Sequence, residues 1–535
     1  MLATVQQLLY ADEIHVRDLL RDLDIVTVLD DIIIESMARG TILMKNHMVN
    51  NCIAIFDKLA ARATITDILL STDVRPDTCG TTLVIHHDLG GGNDVLALYA
   101  RTGAYNVLYY DDVRMYEISG LGDAVRNGLR VRNLKITSAD NVDMHDIDSC
   151  TSLTKLDAED TRYITCKPFA KSLRHLTATH LCNICDNELQ CCTAIETLNA
   201  SVNRHITSCA PFAQTLHTLY ANNELSNHHR TCGISDNSLS SCKFITKLYA
   251  DDNHKITTCK PFAKSLKVLH AYNFCGINDS GLSSCSLIEE LDASDNQKIK
   301  TCDSFAHTLK ILYAYDLSGI TDNGLIRCAS IRELYVSNNK NITTCAPFAR
   351  TLKILEACNA TCGITDEGLK LCTKIRHLYS TDNNRITTCA PFAKSIIFLQ
   401  AVTGGIRDDG IKLCVSIERL RVLTVTTCVP FVRTLIELYA LSSCGIGDAA
   451  LVACHCIAKL CASHNPHITT CAPFAKSLRE LLANGETCGI CTEGLSLCRN
   501  LTYLSAIDNT KIDGIHMKLR NKNVIFVETT ENAEN

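Results

Sequence analysis

The sequence predicts an α/β repeat array, in which stacked copies of one strand, turn and return segment share a continuous core. Three observations carry this. A block returns eight times in forms such as ITTCAPFAR (342–350) and ITTCAPFAK (386–394). Its cysteine falls at Cys166, Cys209, Cys259, Cys302, Cys345, Cys389, Cys428 and Cys471, giving gaps of 43, 50, 43, 43, 44, 39 and 43 residues. Each period divides into two half-units that open on apolar-x-x-Leu-x-Ala, as in Ile245/Leu248/Ala250, Leu266/Leu269/Ala271 and Ile288/Leu291/Ala293. In the first half-unit an asparagine stands eight positions after the opening residue: Asn203, Asn253, Asn296, Asn339, Asn383, Asn465 and Asn509. Units that recur at such a period bury their apolar faces only against their neighbours, so one elongated body is expected in place of several cores.

From the N-terminus, residues 1–75 carry apolar side chains at helical spacing, among them Leu19, Leu20, Leu23, Ile25, Val26, Val28 and Leu29. Short helices are expected there, capping the edge of the first strand. Residues 76–130 read as divergent early copies, because Leu83, Val107 and Val131 precede Leu153 at gaps of 24, 24 and 22. The glycine run from Leu89 to Asp94 lacks the Gly-Lys-Ser/Thr ending of a phosphate cradle and reads as a turn. Residues 131–510 form the array proper, with strand starts at a mean spacing of about 22 residues. Alternate side chains of each short strand enter the core and the rest face out. The recurrent asparagine is placed to bond the backbone of neighbouring turns, so a buried ladder is expected. In the second half-unit, CGINDSGLSSC (275–285) and CGITDEGLKLC (362–372) place Asp279 or Asp366 to cap a short helix. Residues 511–535 hold a closing strand near Asn523 to Val527 and a polar tail.

The L-x-x-L-x-A-x-x-N spacing resembles the leucine-rich repeat, and the C-G-I-T-D-x-G-L form is similar to its cysteine-containing subclass, familiar from F-box proteins. Alanine replaces the usual third leucine, and the half-units alternate in type. The resemblance implies a curved solenoid, with a parallel sheet on the concave side and short helices or turns on the convex side. Eighteen strands would make an inner face on the order of 80 to 90 Å long. It also implies, as an alternative role, a substrate-recognition subunit of a ubiquitin ligase with the N-terminal helices as docking module. The F-box leucine-proline start and tryptophan are absent, so that role rests on family association alone.

Most of the 31 cysteines follow the repeat. Members of one column recur every second half-unit, about 10 Å apart, beyond the reach of a disulfide, and read as small buried hydrophobes. Phe169, Phe212, Phe262, Phe305, Phe348, Phe392, Phe431 and Phe474 each lie three residues after the block cysteine, and all but Phe305 follow proline. The chain turns there and drops one ring per period into the core. Cys182/Cys185, Cys488/Cys491 and Cys454-His455-Cys456 imitate zinc spacing but lack a second pair, so no metal is expected, nor any other cofactor.

Composition is 46% hydrophobic and 21% charged at net charge −6, which excludes a disordered chain and gives no sign of a nucleic-acid partner. No apolar stretch reaches membrane-spanning length, and the N-terminus has no basic region before an apolar run. A cytoplasmic, reducing setting is expected. No catalytic arrangement emerges, so the expected function is a non-enzymatic scaffold holding a protein partner on the strand face. Tyr220, Tyr249, Tyr313, Tyr335, Tyr379 and Tyr439 share the outward position after the second strand anchor. Lys267, Lys310 and Lys353, with Arg332, Arg376 and Arg479, read as a basic row on the same face, opposed by Glu289, Glu290, Asp292, Glu333 and Glu437. Such a mixture suits an interface and equally a solvated face. The 50-residue gap adds a loop, Asn222 to Arg230, whose His228, His229 and Arg230 are candidates for binding or for plain surface decoration.

Overall fold

A computed structural model of the chain describes residues 153–513 apart from 160, 162–163, 181, 225–230 and 443, together with Thr151, the strand Ile525–Val527 and short strands upstream. Two compact units divide the chain, Met1–Leu266 and Lys267–Asn535.

In the first unit, Ser36–Met37, Thr41–Met44, Ile68–Leu70, Thr82–His86, Asn106–Tyr110 and Arg130–Val131 form one sheet, parallel except for the first pair. Leu83 lies opposite Val107, and Val107 opposite Val131. The helical expectation for 1–75 falls outside the described residues, which in that range are strands. A second sheet runs through Asn133–Lys135, Lys155–Asp157, His175–Thr177, Thr197–Asn199, Thr218–Tyr220 and Lys247–Tyr249. Its strands are parallel, with Leu134, Leu156, Leu176, Leu198, Leu219 and Leu248 in register.

The second unit repeats this arrangement from Val268–His270 to Ile525–Val527, every strand parallel to the next. Leu269, Leu291, Leu312, Leu334, Leu355, Leu378, Leu399 and Leu420 form its own anchor column. The strands are short because only one leucine per coil must face inward before the chain turns. Each unit is thus wound as a leucine-rich-repeat solenoid.

The asparagine ladder is present. Asn253 Nδ2 donates to Ala221 O at 2.8 Å, Asn339 to Ala314 O at 2.8 Å and Asn465 to Ala440 O at 2.9 Å. The accepting carbonyl belongs each time to the alanine that stands where a third leucine is usual. The residue before each ladder asparagine turns the chain through the left-handed region, as at Asp252 (φ 60°), Asn338 (φ 62°) and Asp382 (φ 59°), where Asp and Asn are tolerated best. The shortened 39-residue period has no such asparagine, and Thr424 takes its place, its hydroxyl donating to Ile406 O at 2.6 Å. The strands on either side of it, Arg419–Val422 and Glu437–Tyr439, keep register, so the deletion is absorbed in the turn.

One expectation needs correction. Asp279 and Asp366 are the first residues of their helices, Asp279–Leu282 and Asp366–Leu369, and the caps are Asn278 and Thr365, which accept from Gly281 N and Gly368 N. The carboxylate reaches the following coil instead. Asp366 Oδ1 accepts from Thr387 N at 2.8 Å and Thr388 N at 3.2 Å, and Oδ2 from the Thr387 hydroxyl at 2.5 Å. With its backbone donors at a fixed offset in the next coil, the carboxylate ties coil to coil. On its other side the helix lies close to the preceding coil, where a Cβ at Gly368 would meet Thr343 O at 2.1 Å.

All eight block phenylalanines are among the largest fully buried side chains. The cysteines are buried as well, but the two main columns meet. Block thiols sit beside pre-strand thiols in Cys166/Cys192, Cys209/Cys242, Cys302/Cys328, Cys345/Cys372, Cys389/Cys414, Cys428/Cys454 and Cys471/Cys498, and in each pair the neighbouring thiol and burial push the block thiol up. Spacing within one column could not show this, because the partners come from different columns. The third column is buried separately: burial pushes Cys232 up to about 12 and Cys362 up to about 11. The folded state then keeps protons that the unfolded chain releases from about pH 8.5 upward. Stability should be intact below that pH and fall above it, by about 1 kcal/mol per pH unit for each such thiol. In melts between about pH 8 and 10.5, a chain carrying Cys232→Ala and Cys362→Ala should lose stability less steeply than the wild type. Equal slopes would mean that these thiols ionise within the fold.

Candidate protein-binding strand face

Outward positions on each strand flank the anchor leucine, so the face is written in pairs of residues: Glu290/Asp292, Ile311/Tyr313, Glu333/Tyr335, Ile354/Glu356, His377/Tyr379, Phe398/Gln400, Arg419/Arg421 and Glu437/Tyr439. All are half-buried between neighbouring side chains, where the anchors between them are fully enclosed.

In each unit the tyrosines stand at outward strand positions, and parallel register at one strand spacing brings neighbouring rings together. In the first unit Tyr220 and Tyr249 stack at 4.3 Å with planes 7° apart. In the second, Tyr313 and Tyr335 stack at 4.5 Å and 12°. Tyr315, two residues beyond Tyr313, tilts against both at 6.4 Å. Tyr379 packs on Phe398 at 4.9 Å, and Tyr439 lies under the Arg421 guanidinium at 4.5 Å. Arg419 covers the Phe398 ring at 5.0 Å.

Lys267, Lys310, Arg332, Lys353, Arg376 and Arg479 stand elsewhere. Each is one residue before its strand, out of phase with the tyrosines in the pleat, so they line the strand-entry edge beside the face. There Lys267 and Lys310 share Glu289, Lys267 Nζ at 3.7 Å and Lys310 in direct contact. Lys310, by its hydrogen bond, holds the Glu289 carboxyl below the usual range. His228, His229 and Arg230 lie outside the described residues.

Charge changes sign along the face. Glu290, Asp292, Glu333 and Glu356 gather around the stacked rings, whereas Arg419 and Arg421 dominate the section beyond Tyr379. Burial raises the phenols of Tyr313, Tyr315 and Tyr335, and the neighbouring carboxylates raise them further. Burial, then Arg419 and Arg376, holds the His377 imidazole below its ordinary range. Glu356 and Arg421 stand in the tyrosine column on strands that carry no tyrosine there, whereas Phe398, Arg419 and Tyr315 stand two residues to either side of it. The outward alternation, followed two residues back and two forward from that column, finds them.

The zinc-like patterns do not converge: Cys182, Cys488 and Cys454 are buried, Cys185 and Cys491 half-buried and Cys456 exposed. Among the described residues, no group of three or more His, Cys, Asp or Glu is arranged to hold a metal ion, and no helix is long and apolar enough to cross a membrane.

No family model matches the chain, and no curated protein matches it. Among solved structures it is similar to a TLR13–ssRNA13 complex, at 15% identity over 80% of this chain and 60% of that one, TM-score 0.42. The chain therefore spans less than two thirds of that structure. It is also similar to a leucine-rich-repeat protein of Leptospira interrogans, at 13% identity over 81% of this chain and 97% of that one, TM-score 0.37. A third is the functional domain of InlJ from Listeria monocytogenes, which includes a cysteine ladder, at 15% identity over 73% of this chain and 70% of that one, TM-score 0.33.

Proposed function

We propose that this leucine-rich-repeat chain is a non-enzymatic scaffold that holds a protein partner on the outward face of its strands. The observation that supports this most is the Tyr313–Tyr335 stack with Tyr315 against it, on a face built from rigid three-residue strands. Tyrosine offers a large contact area at small entropic cost, and its hydroxyl keeps a polar partner, which is the chemistry of interface anchors. Every surrounding outward position is polar, charged, aromatic or β-branched. The proposal includes a cytoplasmic setting, in which the buried thiols serve as packing groups in a reducing milieu.

A chain carrying Tyr313→Ala, Tyr335→Ala and Tyr379→Ala should melt close to the wild type, because the rings are half-exposed, yet lose its partner. Affinity purification of the tagged wild type and variant from the native source, compared by quantitative mass spectrometry, tests it. A partner retained equally by both would sink the assignment.

A further inference from the structure

Among the described residues, the acidic section of the second unit's face holds aromatic rings, carboxylates and a histidine, but no lysine or arginine paired with those carboxylates. His270 Nε2 lies 3.3 Å from Glu290, and its Nδ1 4.0 Å from Asp292. Glu333 accepts from the Tyr335 hydroxyl at 3.0 Å, and Glu356 from the Ser337 hydroxyl at 3.0 Å. Among the described residues, no lysine or arginine forms an ion pair with any of these four carboxylates, although Glu289 at the adjoining edge has two. Two strands further on the same face treats its rings differently, with the guanidinium of Arg419 set over Phe398 and that of Arg421 over Tyr439.

We infer that the section formed by Glu290, Asp292, Tyr313, Glu333, Tyr335 and Glu356 receives an arginine-rich segment of the protein partner, its guanidinium groups seated over the outer faces of the Tyr313–Tyr335 stack. This rests on the scaffold function proposed above and names the partner's chemistry. Because the two rings stack on one another, each has one outer face, with the His270 ring tilted beside that of Tyr313 at 6.5 Å. Register directs that of Tyr335 toward Glu356 and that of Tyr313 toward Asp292, the residues opposite them on the next strands. A cation placed there meets a ring quadrupole and a carboxylate together, and in a half-buried site both attractions exceed their values in open water. Arginine suits this better than lysine, since its planar fork stacks on a ring while donating to a carboxylate at the edge. The raised phenols keep the rings neutral, so the negative charge of the section stays on its four carboxylates.

Fluorescence anisotropy of the full chain with a labelled Arg-Gly repeat peptide tests this, with Lys-Gly and Glu-Gly repeats as comparisons. The Arg-Gly peptide should bind most tightly and weaken as salt is raised. Glu333→Gln with Glu356→Gln, which keeps shape and acceptor oxygens, should cost about tenfold in affinity at unchanged melting temperature. Tyr313→Ala with Tyr335→Ala should cost as much, and Arg419→Gln with Arg421→Gln nothing. Equal binding by the wild type and the Gln variant would reduce the effect to net charge and overturn the assignment. Preference for the Glu-Gly peptide, or self-association abolished by Arg419→Gln with Arg421→Gln, would also overturn it, the latter by making a second copy the occupant. Should a tyrosine-dependent partner be captured that the Arg-Gly peptide neither mimics nor displaces, the arginine assignment fails while the scaffold function stands.

Discussion

Replacing Asn383 by alanine should destabilise the second unit by about 3 to 6 kcal/mol, one of the largest effects available to a single polar substitution in this chain. The side chain is fully buried. Its Nδ2 donates to Ala357 O at 2.8 Å and Ile364 O at 3.3 Å, and its Oδ1 accepts from Arg385 N at 2.9 Å. Truncation leaves two buried carbonyls and the part-buried Arg385 N–H without partners, and each unsatisfied group costs about 1 to 3 kcal/mol. Asn383→Asp separates hydrogen bonding from packing, because it keeps the acceptor for Arg385 N but turns a carboxylate oxygen toward two carbonyl oxygens. Burial and those carbonyls must raise the folded carboxyl above its unfolded value of about 4. The folded state then binds a proton that the unfolded state releases, so the Asp variant should gain stability, relative to wild type, as pH falls from about 7 to 5. Urea denaturation of both variants at the two pH values measures this. An Asn383→Ala cost under about 1 kcal/mol would show that the neighbouring turns satisfy themselves.

Much of this was legible because the repeat makes the sequence its own alignment. Asn203, Asn253, Asn296, Asn339, Asn383, Asn465 and Asn509 hold one place in seven copies, and only a buried backbone-bonding role demands one amide at one offset from a strand. The phenylalanine spine was legible for the same reason. What stayed hidden were relations between columns. The thiols of Cys345 and Cys372 meet although their columns are separate in sequence. Asp366 bonds Thr387 and Thr388 one coil on, although its position beside a helix start suggested a cap. Distance along the chain gives the spacing within a column, whereas the angle between columns depends on how tightly each coil closes. The outward face was the least legible part, because its residues vary from copy to copy. Tyr315, Glu356, Phe398 and Arg421 become a site only once register sets them beside Tyr313, Tyr335, Tyr379 and Tyr439.

Phe348→Ala should cost about 3 to 5 kcal/mol, the range for emptying a fully enclosed aromatic site. Phe348 is 1% exposed, and it closes the turn of Ala346–Phe348, its carbonyl accepting from Leu352 N at 3.0 Å and Thr351 N at 3.0 Å. Those bonds fix the backbone whatever the side chain, so the variant should keep its fold around a cavity, with collapse resisted by the buried rings of Phe305 and Phe392 in the neighbouring periods. The consequence reaches beyond a single energy. In a repeat array stability is close to a sum of unit and nearest-neighbour terms, so a weak interior period uncouples the coils before it from those after it. Hydrogen exchange should show faster opening of amides near Cys345 and Leu352, while those near Phe262 and Phe474 keep wild-type protection. Phe348→Leu, which leaves a smaller void, should lose markedly less stability and retain a single transition. If Phe348→Ala instead lowers protection evenly from 153 to 513, the array unfolds as one cooperative block, and the nearest-neighbour description of its coils is wrong.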